Sequence, residues 1–208
     1  MGGSSRWHLQ IVERALFVLG AIAFAWFASG QIHAAREQAA LSRELEQAQH
    51  AAAAQPVESA AAATASPRPA PGPRAMIGRI EVPRLNLSAL AREGVDLRTL
   101  RGSVGHVPGT ALPGEPGNAA FAAHRDTFFR PLAGIRKGDT VLVTTPDGVH
   151  RYRVYATRIV APTEISVLRA GHQSQLTLVT CYPFDFVGSA PQRFIVQAEL
   201  TPPSLVRF

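Results

Sequence analysis

Cysteine occurs once in the 208 residues, as Cys181, and lysine once, as Lys137. A lone thiol excludes an internal disulfide framework and any zinc or iron–sulfur site built on several cysteines. Charged residues make up only 17% of the chain, beside 17 glycines and 16 prolines. That composition excludes a long coiled coil except locally. The hydrophobic share of 46% excludes a wholly disordered chain. The net charge of +6 resides entirely in residues 74–208, with 16 basic and 10 acidic side chains, against five of each in residues 1–73. A basic domain suits an anionic lipid or cell-wall polymer nearby. No arginine-rich run and no basic stripe interleaved with aromatics occurs, so nucleic acid is not expected as a partner. The length suffices for one domain of ordinary size plus an appendage.

Charge is missing altogether from Ala15 to Ala35, 21 residues with an almost wholly apolar centre from Ala15 to Phe27. About 20 residues at a rise of 1.5 Å span a hydrocarbon core of roughly 30 Å. Trp7 and Trp26 lie near its two ends, as interfacial anchors do. A cleaved signal peptide is the alternative, but the run exceeds an h-region of about 7–15 residues and no clean cleavage loop follows. The expectation is an uncleaved single-pass signal anchor over 15–35 in the cytoplasmic membrane. Residues 1–14 are then cytoplasmic and the rest extracytoplasmic. Arg6 and Arg14 before the span nearly balance Arg36 and Arg43 after it, so the orientation rests on the terminal amine and on what lies downstream.

Residues 36–74 read as a stalk and linker. Gln31 to Ala54 is rich in strong helix formers, and Leu41 and Leu45 are the only large apolar residues in its middle. A solvated helix is expected there. From Ala51 the chain turns Ala- and Pro-rich, ending in Ser66-Pro-Arg-Pro-Ala-Pro-Gly-Pro73, a composition that buries no core and holds an extended spacer. Residues 75–208 then change to short strands. Met76 to Val82 alternates and stops at Pro83. Asp96 is placed to cap a turn over Leu97–Leu100. Gly105 to Asn118 reads as a loop, Ala119 to His124 as a strand, and Phe128 to Ile135 as a short helix or turn. Thr140–Thr144 and His150–Tyr155 flank Asp147-Gly148, a hairpin signal. Leu176–Cys181 and Arg193–Leu200 complete a mainly β domain, a barrel or sandwich with short helices.

Chemistry concentrates at Cys181. It ends the strand Leu176-Thr-Leu-Val-Thr-Cys181 just before Tyr182-Pro183, and proline ends a ladder, so the thiol belongs at a sheet rim. If the strands on either side of residues 182–192 pair as a hairpin, Cys181 and Arg193 face each other across its open end. A fixed cation there favours thiolate and stabilises negative charge developing beside it. Thiol attack on an amide also needs a group to protonate the departing amine. Of the seven histidines, His8, His33 and His50 precede the domain, His150 lies in a hairpin strand and His172 in a polar loop. His106 reads as structural, bordering the site at most. His124 ends an apolar strand and sits at a rim. Taken singly, each residue has a bland role: a small buried hydrophobe, a backbone hydrogen-bonder, a surface ion-pair partner.

These segments together resemble the sortases, membrane-anchored cysteine transpeptidases. Thr177-Leu-Val-Thr-Cys181 is similar to their TLxTC signature, Arg193 to their arginine, and Ala123-His124-Arg125-Asp126 to their histidine segment, with Ala122-Ala123 in place of an Ala-Gly pair. The strings Gly109–Asn118, His124–Leu132 and Tyr182–Pro191 look most like class D, and the resemblance runs from about Met76 to Leu200. It implies an eight-stranded β-barrel with short helices and a two-step acyl transfer. Cys181 would attack the Thr carbonyl of an LPxT-like sorting motif in a secreted protein, and His124 would protonate the leaving amine. A second amine, from a peptidoglycan stem or a protein lysine, would resolve the thioester. Arg193 would hold the substrate carbonyl or stabilise the oxyanion. Ala123, Thr180 and Tyr182 would line the substrate. No metal or organic cofactor is implied. The competing readings are a cysteine endopeptidase hydrolysing the same motif, an L,D-transpeptidase, whose SHGC-type motif is absent, and an envelope-tethered binding domain without activity.

Overall fold

The computed structural model describes residues 13–14, 16–22, 24–26, 36, 38–47, 49–50, 70–169, 171, 173–186 and 188–201. Eight strands close into a barrel: β1 (Met76–Val82), β2 (Leu87–Glu93), β3 (Val104–His106), β4 (Gly117–Ala122), β5 (Thr140–Thr145), β6 (Gly148–Val160), β7 (Ser174–Tyr182) and β8 (Gln192–Leu200). Their order around the barrel is β1-β2-β3-β4-β7-β8-β6-β5, with β5 returning to β1. The expected eight-stranded barrel is therefore observed.

Alternation builds the barrel wall. In β5 every second residue, Val141, Val143 and Thr145, is buried, as a period-two strand with one face inward requires. Phe121, Phe129, Leu132, Tyr152, Leu176 and Leu178 fill the interior. The hairpin read around Asp147-Gly148 exists, but Thr145 pairs with Gly148, so the two-residue turn is Pro146-Asp147 and Gly148 opens β6 at φ 139°. Asp96 caps the helix Leu97–Gly102 (α3) as expected, accepting from the amides of Arg98 and Thr99 at 2.9 and 3.1 Å. Strands β2 and β3 fall where no strand was read. The alanines, Arg92 and Glu93 of β2 are poor strand formers in isolation. Ladders to β1 on one side and β3 on the other override that preference. Gly105 lies deep in this junction, where an added Cβ would stand 2.3 Å from the Gly94 carbonyl oxygen.

Two ladders are parallel, β2 with β3 and β4 with β7. Parallel neighbours need a crossover rather than a hairpin. Helix α3 supplies the first, and the β5–β6 hairpin with the 3-10 turn Ile165–Leu168 supplies the second.

Ahead of the barrel, residues 16–22 are helical (α1) and expose Leu16, Phe17, Val18, Leu19 and Ile22. The expected membrane span 15–35 lies partly outside the described residues, and among the described residues no helix is long and apolar enough to cross a membrane. The Pro-rich linker over 51–69 lies outside them too. Residues 38–47 are helical (α2) as composition suggests, but not solvated all round. Leu41 and Leu45 are 1% and 2% exposed and pack on Leu90 of β2, with Met76 alongside. The reason is geometric. An i, i+4 leucine pair forms a short apolar stripe, and the β3 ladder begins only at Ala91, leaving the Leu90 amide open beside it. Gln38 fills that gap: its Oε1 accepts from the Leu90 amide and its Nε2 donates to the Gly102 carbonyl, both at 2.8 Å. Arg79 donates to Ser42 Oγ at 3.0 Å. The double substitution Leu41→Ser/Leu45→Ser should therefore undock α2. Hydrogen exchange at the Leu90 amide should accelerate towards its unprotected rate while the β5 and β7 amides keep their protection.

A second polar fastening joins the turn after β1 to the start of β5. Arg84 Nε donates to Asp139 Oδ1 at 2.6 Å and Arg84 Nη2 to the Gly134 carbonyl at 2.7 Å, while the Arg136 amide donates to Asp139 Oδ2 at 2.7 Å. The hydrogen bond from Arg84 is the largest cause holding the Asp139 carboxyl below its usual value of 3.8. A carboxyl depressed on folding contributes stability that is present above its unfolded pKa and lost as pH falls through the folded one. Asp139→Asn should accordingly lower the melting temperature at neutral pH, and the gap to wild type should narrow below pH of about 4, as followed by thermal denaturation.

Candidate active site

The parallel register of β4 and β7 decides what meets at one rim. Ala122 pairs with Val179, so both strands end on the same side, and the chain continues to His124 from one and to Cys181 from the other. Two further bonds extend the ladder past the end of β4. The Ala123 amide donates to the Val179 carbonyl at 3.2 Å, and Thr180 Oγ1 donates to the Ala123 carbonyl at 2.8 Å. On the other flank, β7 and β8 form an antiparallel hairpin in which Cys181 stands directly opposite Arg193. Opposite residues in such a pair project to the same face. The cleft that results has a volume of about 330 Å³ and is lined by His124, Arg125, Asp126, Cys181, Gly188, Ser189, Ala190 and Arg193.

The thiol is half-buried rather than sealed, and His124 and Arg193 are also half-buried. Strand β4 stops at Ala122, two residues earlier than the sequence suggests, so His124 stands beyond the ladder at the mouth of the cleft. Arg193 Nη1 donates to the Ala190 and Gln192 carbonyls at 3.3 and 3.0 Å, which folds its guanidinium back onto the β7–β8 loop.

Of the other described histidines, His50 is exposed ahead of the barrel, and His106 and His150 are used elsewhere. His106 is 1% exposed; its Nδ1 lies 2.6 Å from Glu93 Oε2 and its Nε2 lies 3.0 Å from the Ala111 carbonyl, which ties the loop after β3 to the end of β2. It is structural, as read. His150 lies against Gly114, where a Cβ would come within 2.3 Å of its ring, at the end of the barrel away from the thiol. His8, His33 and His172 lie outside the described residues.

Ala123, Thr180 and Tyr182, expected to line the substrate, do not reach the wall of the cleft. Ala123 and Thr180 are 6% and 2% exposed and bond to each other beneath it. Tyr182 turns to an aromatic group, with ring centres 6.0 Å from Phe184 and 6.3 Å from Phe194. These residues support the rim.

A second feature was not legible in the sequence. A groove of about 160 Å³, apolar but for Glu164, runs from Arg193 between Val95, Val107, Ala122, Val160, Ala161, Pro162, Ile165, Val167, Leu168, Val179 and Ile195. Its floor is the outer face of β4, β7 and β8, and its wall is the β6–β7 connection. Asn118 holds that wall: its Nδ2 donates to the Val167 carbonyl at 3.1 Å, and its Oδ1 accepts from Thr177 Oγ1 at 2.9 Å. The lining residues come from six separated segments, so no local motif announces them.

Comparison with known proteins agrees with this arrangement. A family model of the sortase domain matches residues 80–201. Sortase D of Bacillus subtilis is 36% identical over 120 residues, 57% of this chain and 61% of that protein. The chain thus spans about three-fifths of the length of the curated relatives it matches. Among solved structures, a Clostridium perfringens sortase D5 transpeptidase shares the fold with a TM-score of 0.65 at 23% identity, over 80% of this chain and 99% of that one. Sortase C-1 from Actinomyces oris aligns with a TM-score of 0.57 at 31% identity, over 62% of this chain and 75% of that one.

Thr180→Val should separate support from chemistry at this rim. Loss of the hydroxyl leaves the Ala123 carbonyl without that partner and should cost roughly 1–3 kcal/mol, measured by urea unfolding, with Cys181 still modified by a thiol reagent. Closed barrel, rim cleft, ordered motifs and matched domain lead to one conclusion: the chain belongs to the sortase family, with the likeness to class D that its loop motifs carry.

Proposed function

We propose that the protein is a membrane-anchored cysteine transpeptidase that cleaves an LPxT-like sorting motif and passes the acyl group to an amine. The observation that carries this reading is the single cleft where Cys181, His124 and Arg193 meet at the end of an apolar groove. In the first step the Cys181 sulfur attacks the Thr carbonyl of the motif. The carbon–nitrogen bond breaks, His124 gives its proton to the departing amine, and a thioester is left on Cys181. In the second step an incoming amine loses a proton to His124 and displaces the sulfur. Arg193, once turned from its loop carbonyls, holds the oxygen that becomes negative at each tetrahedral stage. Apart from Glu164, the groove beyond Arg193 is lined by valine, alanine, isoleucine, leucine and proline and suits a Leu-Pro pair preceding the scissile residue. Hydrolysis is the same path with water in the second step.

The uncharged stretch 15–35 supports an anchor in the cytoplasmic membrane with the barrel outside it. The exposed apolar residues of α1 agree with that placement. A peptidoglycan stem or a protein lysine is then the amine within reach, and the basic charge of residues 74–208 suits an anionic envelope polymer.

The test is mass spectrometry of the full chain in detergent with LPxTA and LPxTG peptides. A thioester adduct on Cys181, released by added amine as a ligated product, is expected. Cys181→Ala should form none, and intact product formation by that variant would refute the reading. His124→Ala should lower the rate by about 10²–10⁴-fold, and Arg193→Ala by about 10²–10³-fold.

A further inference from the structure

Arg125 follows His124 directly, lines the same cleft and is half-buried. Its Nη1 donates to the Pro183 carbonyl at 3.1 Å, and its Nη2 donates to the Phe186 and Gly188 carbonyls at 2.5 and 2.9 Å. Its guanidinium carbon lies 5.8 Å from the centre of the Phe186 ring. One side chain thus gathers three backbone carbonyls from the loop that joins Cys181 to Arg193. A planar guanidinium presents donors in several directions at fixed spacing, which suits it to carbonyls converging from separate residues. By contrast Arg130 reaches the same loop from its exposed outer side, through the Phe184 carbonyl and Asp185, and does not line the cleft.

The loop so gripped carries Gly188, Ser189 and Ala190, which line the cleft together with the thiol, and the Ala190 carbonyl holds Arg193. A shift of the loop therefore moves one wall of the cleft and the resting place of Arg193 together. His124 is coupled to the same grip by a single peptide bond.

We propose that Arg125 is a positioning residue, whose hold on the β7–β8 loop sets the spacing of His124 and Arg193 across Cys181. The proposal rests on the transpeptidase reading for its consequence in turnover, but not for its consequence in the reactivity of the thiol. The apolar groove lies on the far side of Arg193, and its wall is the β6–β7 connection, which Arg125 does not touch. Loosening the loop should therefore impair the chemical step far more than the grip on the motif.

The experiment compares the full chain in detergent with Arg125→Ala and Arg125→Lys at one pH. The first readout, the alkylation rate of Cys181 by iodoacetamide, needs no peptide. Both variants should react several-fold faster than wild type, because the segment 188–190, which lines the cleft beside the thiol, is loosened. The second readout is turnover of the peptide that acylates the wild type. Misplacement of reacting groups by about 1 Å costs on the order of 100-fold, so kcat should fall by about that factor while KM stays within about threefold. A lysine keeps the charge but sets its donors on one atom, so a clamp is not rescued by it, whereas a purely electrostatic role is. Wild-type alkylation and kcat in Arg125→Ala, or recovery of both in Arg125→Lys, would overturn the proposal. Should the wild type accept no peptide, the functional reading fails, and the alkylation rates alone still decide the role of Arg125.

Discussion

The parallel ladder between β4 and β7 is the constraint on which the site depends. Its register sets Ala122 beside Val179, and everything at the rim follows from that pairing. A shift by one residue would turn each side chain of the shifted strand to the opposite face, carrying Thr180 out of the interior and its hydroxyl away from the Ala123 carbonyl. Two groups 57 positions apart in sequence are brought to one cleft because two strands end together, and the antiparallel β7–β8 hairpin adds the third at Arg193. The barrel is closed, so no free edge lets this register slip.

Rigidity and exposure are divided between the two sides of that rim. Below it, backbone ladders and buried bonds hold the strand ends: Thr180 to Ala123, Asn118 to Thr177 and Val167, His106 to Glu93. Above it, arginine side chains hold the β7–β8 loop from two directions. Charged donors on backbone carbonyls suit that task, since such hydrogen bonds are stronger than neutral ones and need no regular ladder. The cleft on one side of Arg193 is polar and the groove on the other is mainly apolar, so one guanidinium borders both.

The docking of α2 gives the barrel a second attachment to its own N-terminal region, besides the covalent chain. It combines a two-leucine stripe with a glutamine that satisfies backbone groups left open where the β2–β3 ladder begins. Seen only as sequence, Leu41 and Leu45 are too few to specify a partner, and a solvated helix is the reading they support. The partner is Leu90, in a strand whose alanines and charges conceal it. Neither half of this contact is recognisable without the other, which is why it emerges only in the folded chain.

Alternation, proline stops and the Asp96 cap were enough to place β1, β5, β7, β8 and α3, because those signals are local. The lone cysteine ahead of Tyr182-Pro183 suggested a rim thiol, and the resemblance of its segment and those of His124 and Arg193 to one family singled out three of the residues that line the cleft. Strands β2 and β3, the buried roles of Ala123 and Thr180, and the groove behind Arg193 were decided by tertiary structure alone. Each depends on which strand lies beside which, a long-range pairing whose partners are separated by dozens of residues and leave no period or motif in either segment.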